Sequence, residues 1–280
     1  MMKKLTKEDN IRIFNETQDA IKNRKALKDA VENSNKKQQY YIGEEIPLFE
    51  NRFEDDAKII VSKSTSFAAA RKYSGKIAVL NFASATNPGG GVSHGSFAQE
   101  ECLCRCSTLY NSLIVKDAMD KFYIPHRTGL SPLHNDDVIY TPEVIIFKSD
   151  NYVDLSESYG TAKVVNIITC AAPNLRENPR NEYNSENTTE PAKISNEDLL
   201  NLHKQRARKI LSVAATNKND FVILGAFGCG AFRNDPKIVA EAYKQILPEF
   251  KNAFKVIEFA VFCKNQETIN YDSFKEILNG

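Results

Sequence analysis

Uninterrupted apolar runs constrain this chain most. Residues 76–82 read Lys-Ile-Ala-Val-Leu-Asn-Phe, and similar runs recur at 144–147, 164–169, 221–224 and 256–262, with a shorter β-branched run at 58–61. Strands with one wet face alternate apolar and polar residues; continuous runs mark strands buried on both faces. Helical stretches at roughly 65–71, 98–115, 196–216, 235–249 and 272–278 separate them. Strands alternating with helices predict an α/β fold, a three-layer α/β/α sandwich around a parallel or mixed sheet. Ahead of it, apolar residues at Ile11, Ile13, Phe14, Ile21, Leu27 and Val31 recur at three- and four-residue intervals, predicting a helix over 6–32 with an N-cap signal at Thr6 and Asp9. Residues 34–56 are polar and irregular. The expected organisation is one domain: an N-terminal helical extension over 1–56 packed on a core over 57–280. Segments 120–136 and 173–193, rich in proline and polar residues, are expected to be long loops of functional weight.

Lys and Arg total 37 against 36 Asp and Glu, a net charge of +1. That balance excludes a protein working mainly by clinging to phosphate backbones or acidic membranes, so no direct DNA binding is expected. No apolar run approaches the ~20 residues of a membrane-spanning helix, and the basic start has no apolar segment behind it. Six cysteines, three of them within 102–106, do not form a disulfide framework. The expectation is a reduced, cytoplasmic protein.

Two buried strands run into glycine-rich loops. The first, 83–96, contains Asn87-Pro88-Gly89-Gly90-Gly91-Val92; the second, 225–235, contains Gly225-Ala226-Phe227-Gly228-Cys229-Gly230-Ala231-Phe232. Glycines there let main-chain N–H groups approach an anion, and the helix that follows adds positive potential. Neither loop ends in Gly-Lys-Ser/Thr, and neither has the acidic residue of a dinucleotide-binding turn. One such loop is ordinarily a tight turn; two, each between a buried strand and a helix, suit a diphosphate clamped from both sides. Gln99-Glu100-Glu101 follows the first loop. Acids in a helix's first turn are also what the macrodipole favours on a plain surface. Their place beside a triple glycine gives them a chemical reading as well.

Gly89-Gly90-Gly91, seven residues, then Gln99-Glu100-Glu101 resembles the signature of poly(ADP-ribose) glycohydrolases, enzymes of the macrodomain fold. The surrounding Asn81-Phe82-Ala83-Ser84-Ala85, Ala171-Ala172-Pro173-Asn174 and 224–230 resemble the microbial branch, and the likeness runs from about residue 10 to the C-terminus. The resemblance implies a macrodomain-like core whose cleft takes ADP-ribose, with the diphosphate between loops 89–96 and 226–232. It implies Glu101 as catalytic acid/base, with Glu100 and Asn87 holding hydroxyls of the ribose beside the scissile bond. The implied substrate contacts are Asn87, Gly89, Gly90, Gly91, Val92, Gln99, Ala226, Phe227, Gly228, Cys229, Gly230, Ala231 and Phe232, with Phe227 or Phe232 packing on ribose or adenine. Cleaving a ribose–ribose bond passes through an oxocarbenium-like state in which the departing oxygen takes a proton. Adjacent helical residues point ~100° apart, so Glu101 is expected to work alone while Glu100 positions the ribose. The expected partner is poly(ADP-ribose) or an ADP-ribosylated protein, with ADP-ribose as product and no cofactor. Removal of single ADP-ribose units from proteins, or ADP-ribose binding without turnover, are the alternatives.

Other signals weigh less. Cys102, Cys104 and Cys106 do not share one helix face, so no metal site is expected. The histidines His94, His126, His134 and His203 have no paired-ligand spacing. Lys204, Arg206, Arg208 and Lys209 read as the solvated face of a helix, and Asp150 and Asp154 as surface acids or adenine contacts.

Overall fold

The computed structural model describes residues 5–129, 131–155, 162–180, 190–263 and 267–279. Part of the expected loop at 173–193 falls outside them. Helices α1 (Lys7–Asn23) and α2 (Lys25–Lys37) lead into strand β1 (Gln39–Tyr41), then β2 (Lys58–Ser62), α3 (Ser66–Ala70) and β3 (Ile77–Ala83). Next come α4 (Gln99–Cys106), α5 (Tyr110–Leu113), α6 (Lys116–Ala118), a π-helical turn at Met119–Tyr123, and α7 (Ile124–Gly129). Strands β4 (Val138–Ile146) and β5 (Lys163–Ala171), helix α8 (Asn196–Thr216), β6 (Phe221–Leu224), α9 (Pro236–Ile246), β7 (Val256–Ala260) and α10 (Ile269–Asn279) complete the order.

The seven strands form one mixed sheet, ordered β1-β4-β5-β3-β6-β7-β2. From β5 across to β2 every pairing is parallel, while β4 runs antiparallel to both β5 and β1. Strand β3 lies centrally, with Ala78–Ala83 opposite Asn166–Ala171 of β5 and Ile77–Val79 opposite Phe221–Ile223 of β6. Its side chains feed both layers. Ala78 and Leu80 join the core under α8, α9 and α10, whereas Ile77 and Val79 join the core under α3, α4 and α5. Burial on two faces is the physical reason its sequence lacks alternation.

Several elements depart from the sequence expectation. The helix expected over 6–32 is two, broken at the extended Arg24, whose guanidinium pairs with Asp154 at 2.6 Å. Residues 39–41, inside a stretch expected to be irregular, form one of the sheet's two edge strands. The apolar run at 144–147 is the second half of a strand that begins at Val138. Pro142 and Glu143, the latter at φ 59°, sit in a bulge that breaks the register between Thr141 and Val144. Segment 120–136, expected as a loop, is helical to Gly129: a π-helical turn at Met119–Tyr123 runs without a break into α7.

The basic run on α8 is only partly solvated: Lys204 and Arg208 are half-buried, while the other two cations lie inside. Arg206 is fully buried: its Nε donates to Asp136 at 2.8 Å and its Nη1 to the carbonyls of Ala171 (2.9 Å) and Leu133 (3.2 Å). Lys209 is also buried and donates to the carbonyl of Gly43, while Arg208 pairs with Glu249. Arg206 and Lys209 tie neighbouring segments to α8. Among the described residues no helix is long and apolar enough to cross a membrane.

Removing one partner of a buried ion pair strands the other charge. Arg206→Ala is therefore expected to lower unfolding free energy by roughly 3–5 kcal/mol in urea denaturation. A loss under ~1 kcal/mol, the range of an exposed pair, would contradict the buried assignment.

Candidate active site

In open parallel sheets, ligand sites lie beyond the carboxyl ends of the strands, and both glycine loops leave the sheet there, from the adjacent strands β3 and β6. The first loop is shaped by close approach. Gly89 and Gly90 have φ of 70° and 59°, in the left-handed region. A Cβ on Gly89 would stand 2.8 Å from the Tyr110 ring. One on Gly90 would stand 2.5 Å from Glu101 Oε1 and 3.2 Å from Glu100 Oε2. The main chain thus lies directly on both carboxyl groups, and only glycine fits.

The seven-residue spacing has a cause in the same geometry. The Gly91 N–H donates to Glu101 Oε1 at 3.0 Å, and the Ala98 N–H donates to Oε2 at 3.1 Å. The loop leaves and returns to one carboxyl group, and the Ser96 N–H closes it onto the Gly91 carbonyl at 3.1 Å. Ala98 is the N-cap of α4 and has no side-chain acceptor, so Glu101, at the third position, supplies the reciprocal half of a capping box alone. Below, Val92 is buried in the core, and the Asn87 carbonyl accepts the Gly90 N–H at 2.9 Å.

Glu100 is buried more deeply. Its Oε2 accepts the Ser84 N–H at 2.8 Å and its Oε1 the Asn81 amide at 3.2 Å. Burial and the neighbouring Glu101 push its carboxyl from the ordinary 4.5 up to about 8, against the pull of Ser84, Asn81 and Gly89. Although adjacent on the helix, the two glutamates converge on Gly90 instead of diverging by ~100°, because Glu101 folds back to the loop. Gln99 points elsewhere: it accepts the Phe82 N–H (2.9 Å) and donates to Leu80 O (2.6 Å) and Ser66 Oγ (3.0 Å). It pins α4 to the end of β3.

In the second loop the two aromatics separate. Phe227 is buried in the core, edge-on to Phe82 at 5.7 Å. Phe232 is half-buried, with the His134 ring and the Arg176 guanidinium each 6.0 Å from it. Only Phe232 has surface to offer a ligand. Ala226 and Cys229 are half-buried, and Gly230 and Ala231 are exposed along the loop's outer edge. Burial pushes the Cys229 thiol far up, which removes the thiolate a nucleophile would need. Gly228, at φ 78°, passes so close to Asn234 and Ala172 that a Cβ would stand 2.6 and 2.7 Å from them. Asn234 holds this turn, donating to the carbonyls of Pro173 (2.7 Å) and Gly228 (3.1 Å), and His203 Nε2 meets its Oδ1 at 2.8 Å. Burial lowers His203 to about 4, so the ring is neutral and donates this bond.

The chain matches the family model of the microbial-type PARG catalytic domain over residues 8–149, which includes the triple glycine and both glutamates. It belongs to that family of poly(ADP-ribose) glycohydrolases. Among solved structures, the enzyme from Thermomonospora curvata is 28% identical, with a TM-score of 0.80 over 96% of this chain and 99% of that one. The same enzyme bound to the inhibitor ADP-HPD is 27% identical with a TM-score of 0.78 over the same shares. The Deinococcus radiodurans enzyme in complex with ADP-ribose is 33% identical, with a TM-score of 0.73 over 89% of this chain and 96% of that one. No curated protein matches the chain.

Measured against this PARG site, sequence reasoning missed Asn81, Ser84, Asn234 and His203. Asn81 had a signal, as the one amide in an otherwise apolar run; it donates to Glu100 and Thr169. Ser84 acts through its main-chain N–H, and Asn234 and His203 through each other and nearby carbonyls, so none left a local signal. Among the described residues no three metal-ligating side chains cluster; Cys104 and Cys106 are buried and Cys102 half-buried. Asp150 accepts from Thr65 at 2.9 Å, and His94 is exposed.

The raised Glu100 makes stability depend on pH. Between about 4.5 and 8 the folded chain keeps a proton that the unfolded chain releases, so stability falls as pH rises through that window. Glu100→Gln is expected to flatten this fall by on the order of a few kcal/mol, read from thermal midpoints between pH 5 and 8. An unchanged slope would show that Glu100 titrates normally.

Proposed function

We propose that this chain hydrolyses the ribose–ribose O-glycosidic bonds of poly(ADP-ribose), with Glu101 as the general acid/base. The observation carrying this reading is the Glu101 carboxyl, buried and fixed between the Gly91 and Ala98 N–H groups, directly under the glycine turn. A group so held loses little orientational freedom in reaching a reacting atom. The relatives' complexes with ADP-ribose and ADP-HPD support an ADP-ribose-like ligand for this fold.

The diphosphate lies between loops 89–96 and 226–232, whose N–H groups and glycines allow close approach of an anion. Phe232 packs on the sugar or base, and Asn87 and Glu100 hold hydroxyls of the ribose next to the scissile bond. Glu100, raised to about 8, carries its proton at neutral pH. That proton makes it a hydrogen-bond donor and spares the diphosphate a second carboxylate charge. Glu101 protonates the departing ribose oxygen as oxocarbenium character develops at the anomeric carbon. The resulting carboxylate then takes a proton from the attacking water. Proton and water complete the balance, so the chemistry requires no cofactor. The product is ADP-ribose, and the partner is the polymer or the protein bearing it, met in the cytoplasm, where six free cysteines stay reduced. The N-terminal 1–56 belong to this working unit as an extension of the 57–280 core.

Glu101→Gln keeps the shape and removes the titrating proton. It is expected to cut turnover of labelled poly(ADP-ribose) by ~10²–10⁴, with ADP-ribose affinity within a few-fold of the unaltered chain. Retained turnover would remove Glu101 from the role. Release of ADP-ribose from mono-modified protein, with none from the polymer, would reassign the substrate.

A further inference from the structure

We infer that α1 is a working part of the active site and that Asn10 is a positioning residue for Glu101. The inference rests on the assignment of Glu101 above. Both N–H groups that hold the Glu101 carboxyl belong to the short loop 91–98, so whatever fixes that loop fixes the acid. The loop's far side is fixed by α1. Asn10 is buried and its Nδ2 donates to the Gly95 carbonyl at 3.1 Å, 85 residues away in sequence. Gly95 takes φ 76° and passes so close to α1 that a Cβ there would overlap the Lys7 carbonyl.

Two further contacts act in the same direction. Arg105, buried on α4, donates to the neighbouring Ser96 carbonyl at 2.8 Å. Phe14, one turn along α1 from Asn10, meets the Tyr110 ring edge-on at 4.9 Å, and that ring backs Gly89. Helix α1 therefore buttresses the loop at Gly95 and, through Tyr110, at Gly89, on either side of the Gly91 N–H. Arg52 offers a contrast. Its guanidinium pairs with Asp220 at 2.6 Å just before β6, at the end of the sheet opposite the loop.

A misplacement of about 1 Å in a catalytic group can cost up to ~10²-fold in rate. Asn10→Ala is expected to lower kcat on poly(ADP-ribose) by about ten- to a hundredfold, assayed well below its melting temperature. KM and ADP-ribose affinity should change less than kcat, because the loop 226–232 and Phe232 keep their half of the site. Gly95→Ala, which pushes the loop off α1 with Asn10 intact, should give the same split, and serves if Asn10→Ala does not fold. Arg52→Ala should lower stability modestly and leave kcat near normal. Unchanged kcat in both loop variants would overturn the inference. So would equal losses of kcat and ADP-ribose affinity, or a kcat loss in Arg52→Ala matching that of Asn10→Ala. Glu101→Gln assayed alongside separates the two claims. If it is inactive while Asn10→Ala turns over normally, only this inference fails; if it remains active, the assignment of Glu101 fails first.

Discussion

A single missing methyl group governs this site. Gly90 lets the main chain lie against two carboxyl groups at once, with its would-be Cβ position 2.5 Å from one and 3.2 Å from the other. Close approach lets the turn cover both acids, and covering them removes water from them. The removal of water, more than any partner, separates Glu100 from an ordinary surface glutamate. Neutral at physiological pH, Glu100 can sit beside an anionic ligand at little electrostatic cost. Glu101 keeps a fixed pair of N–H donors and faces the same turn.

The scaffold explains why this arrangement is stable. Strand β3, buried on both faces, anchors the loop at one end, and Gln99 stitches the start of α4 to that strand's last carbonyls and N–H groups. The second loop leaves β6, the neighbouring strand, and is held by Asn234 and a neutral His203 instead of by charge. The buried Arg206–Asp136 pair joins α8 to the segment before β4 and, through the Ala171 carbonyl, to the end of β5. Beyond the carboxyl ends of β3 and β6 stand glycine backbone, the half-buried Phe232 and the acid doublet.

Much of this was legible in the sequence, for a physical reason. Buried strands must be apolar throughout, so β3, β5, β6 and β7 announced themselves. Glycine loops between strand and helix, followed by adjacent acids, marked the chemistry. What stayed hidden depends on the third dimension. Nothing local distinguishes Phe227, which turns into the core, from Phe232, which does not. Charge on a helix gives no sign that Arg206 and Lys209 lie inside. Pro142 reads as a strand breaker until the bulge at Glu143 absorbs it, and Asn10 shows its use only when Gly95 arrives beside it.

The most direct test of the central claim is a crystal structure of this chain with ADP-ribose bound. The account predicts the diphosphate between loops 89–96 and 226–232, the Phe232 ring against the ligand, and the Glu101 carboxyl within hydrogen-bond reach of the oxygen on the terminal anomeric carbon. A ligand bound elsewhere, or bound here with Glu101 too far to pass a proton to that oxygen even through one water, would contradict it.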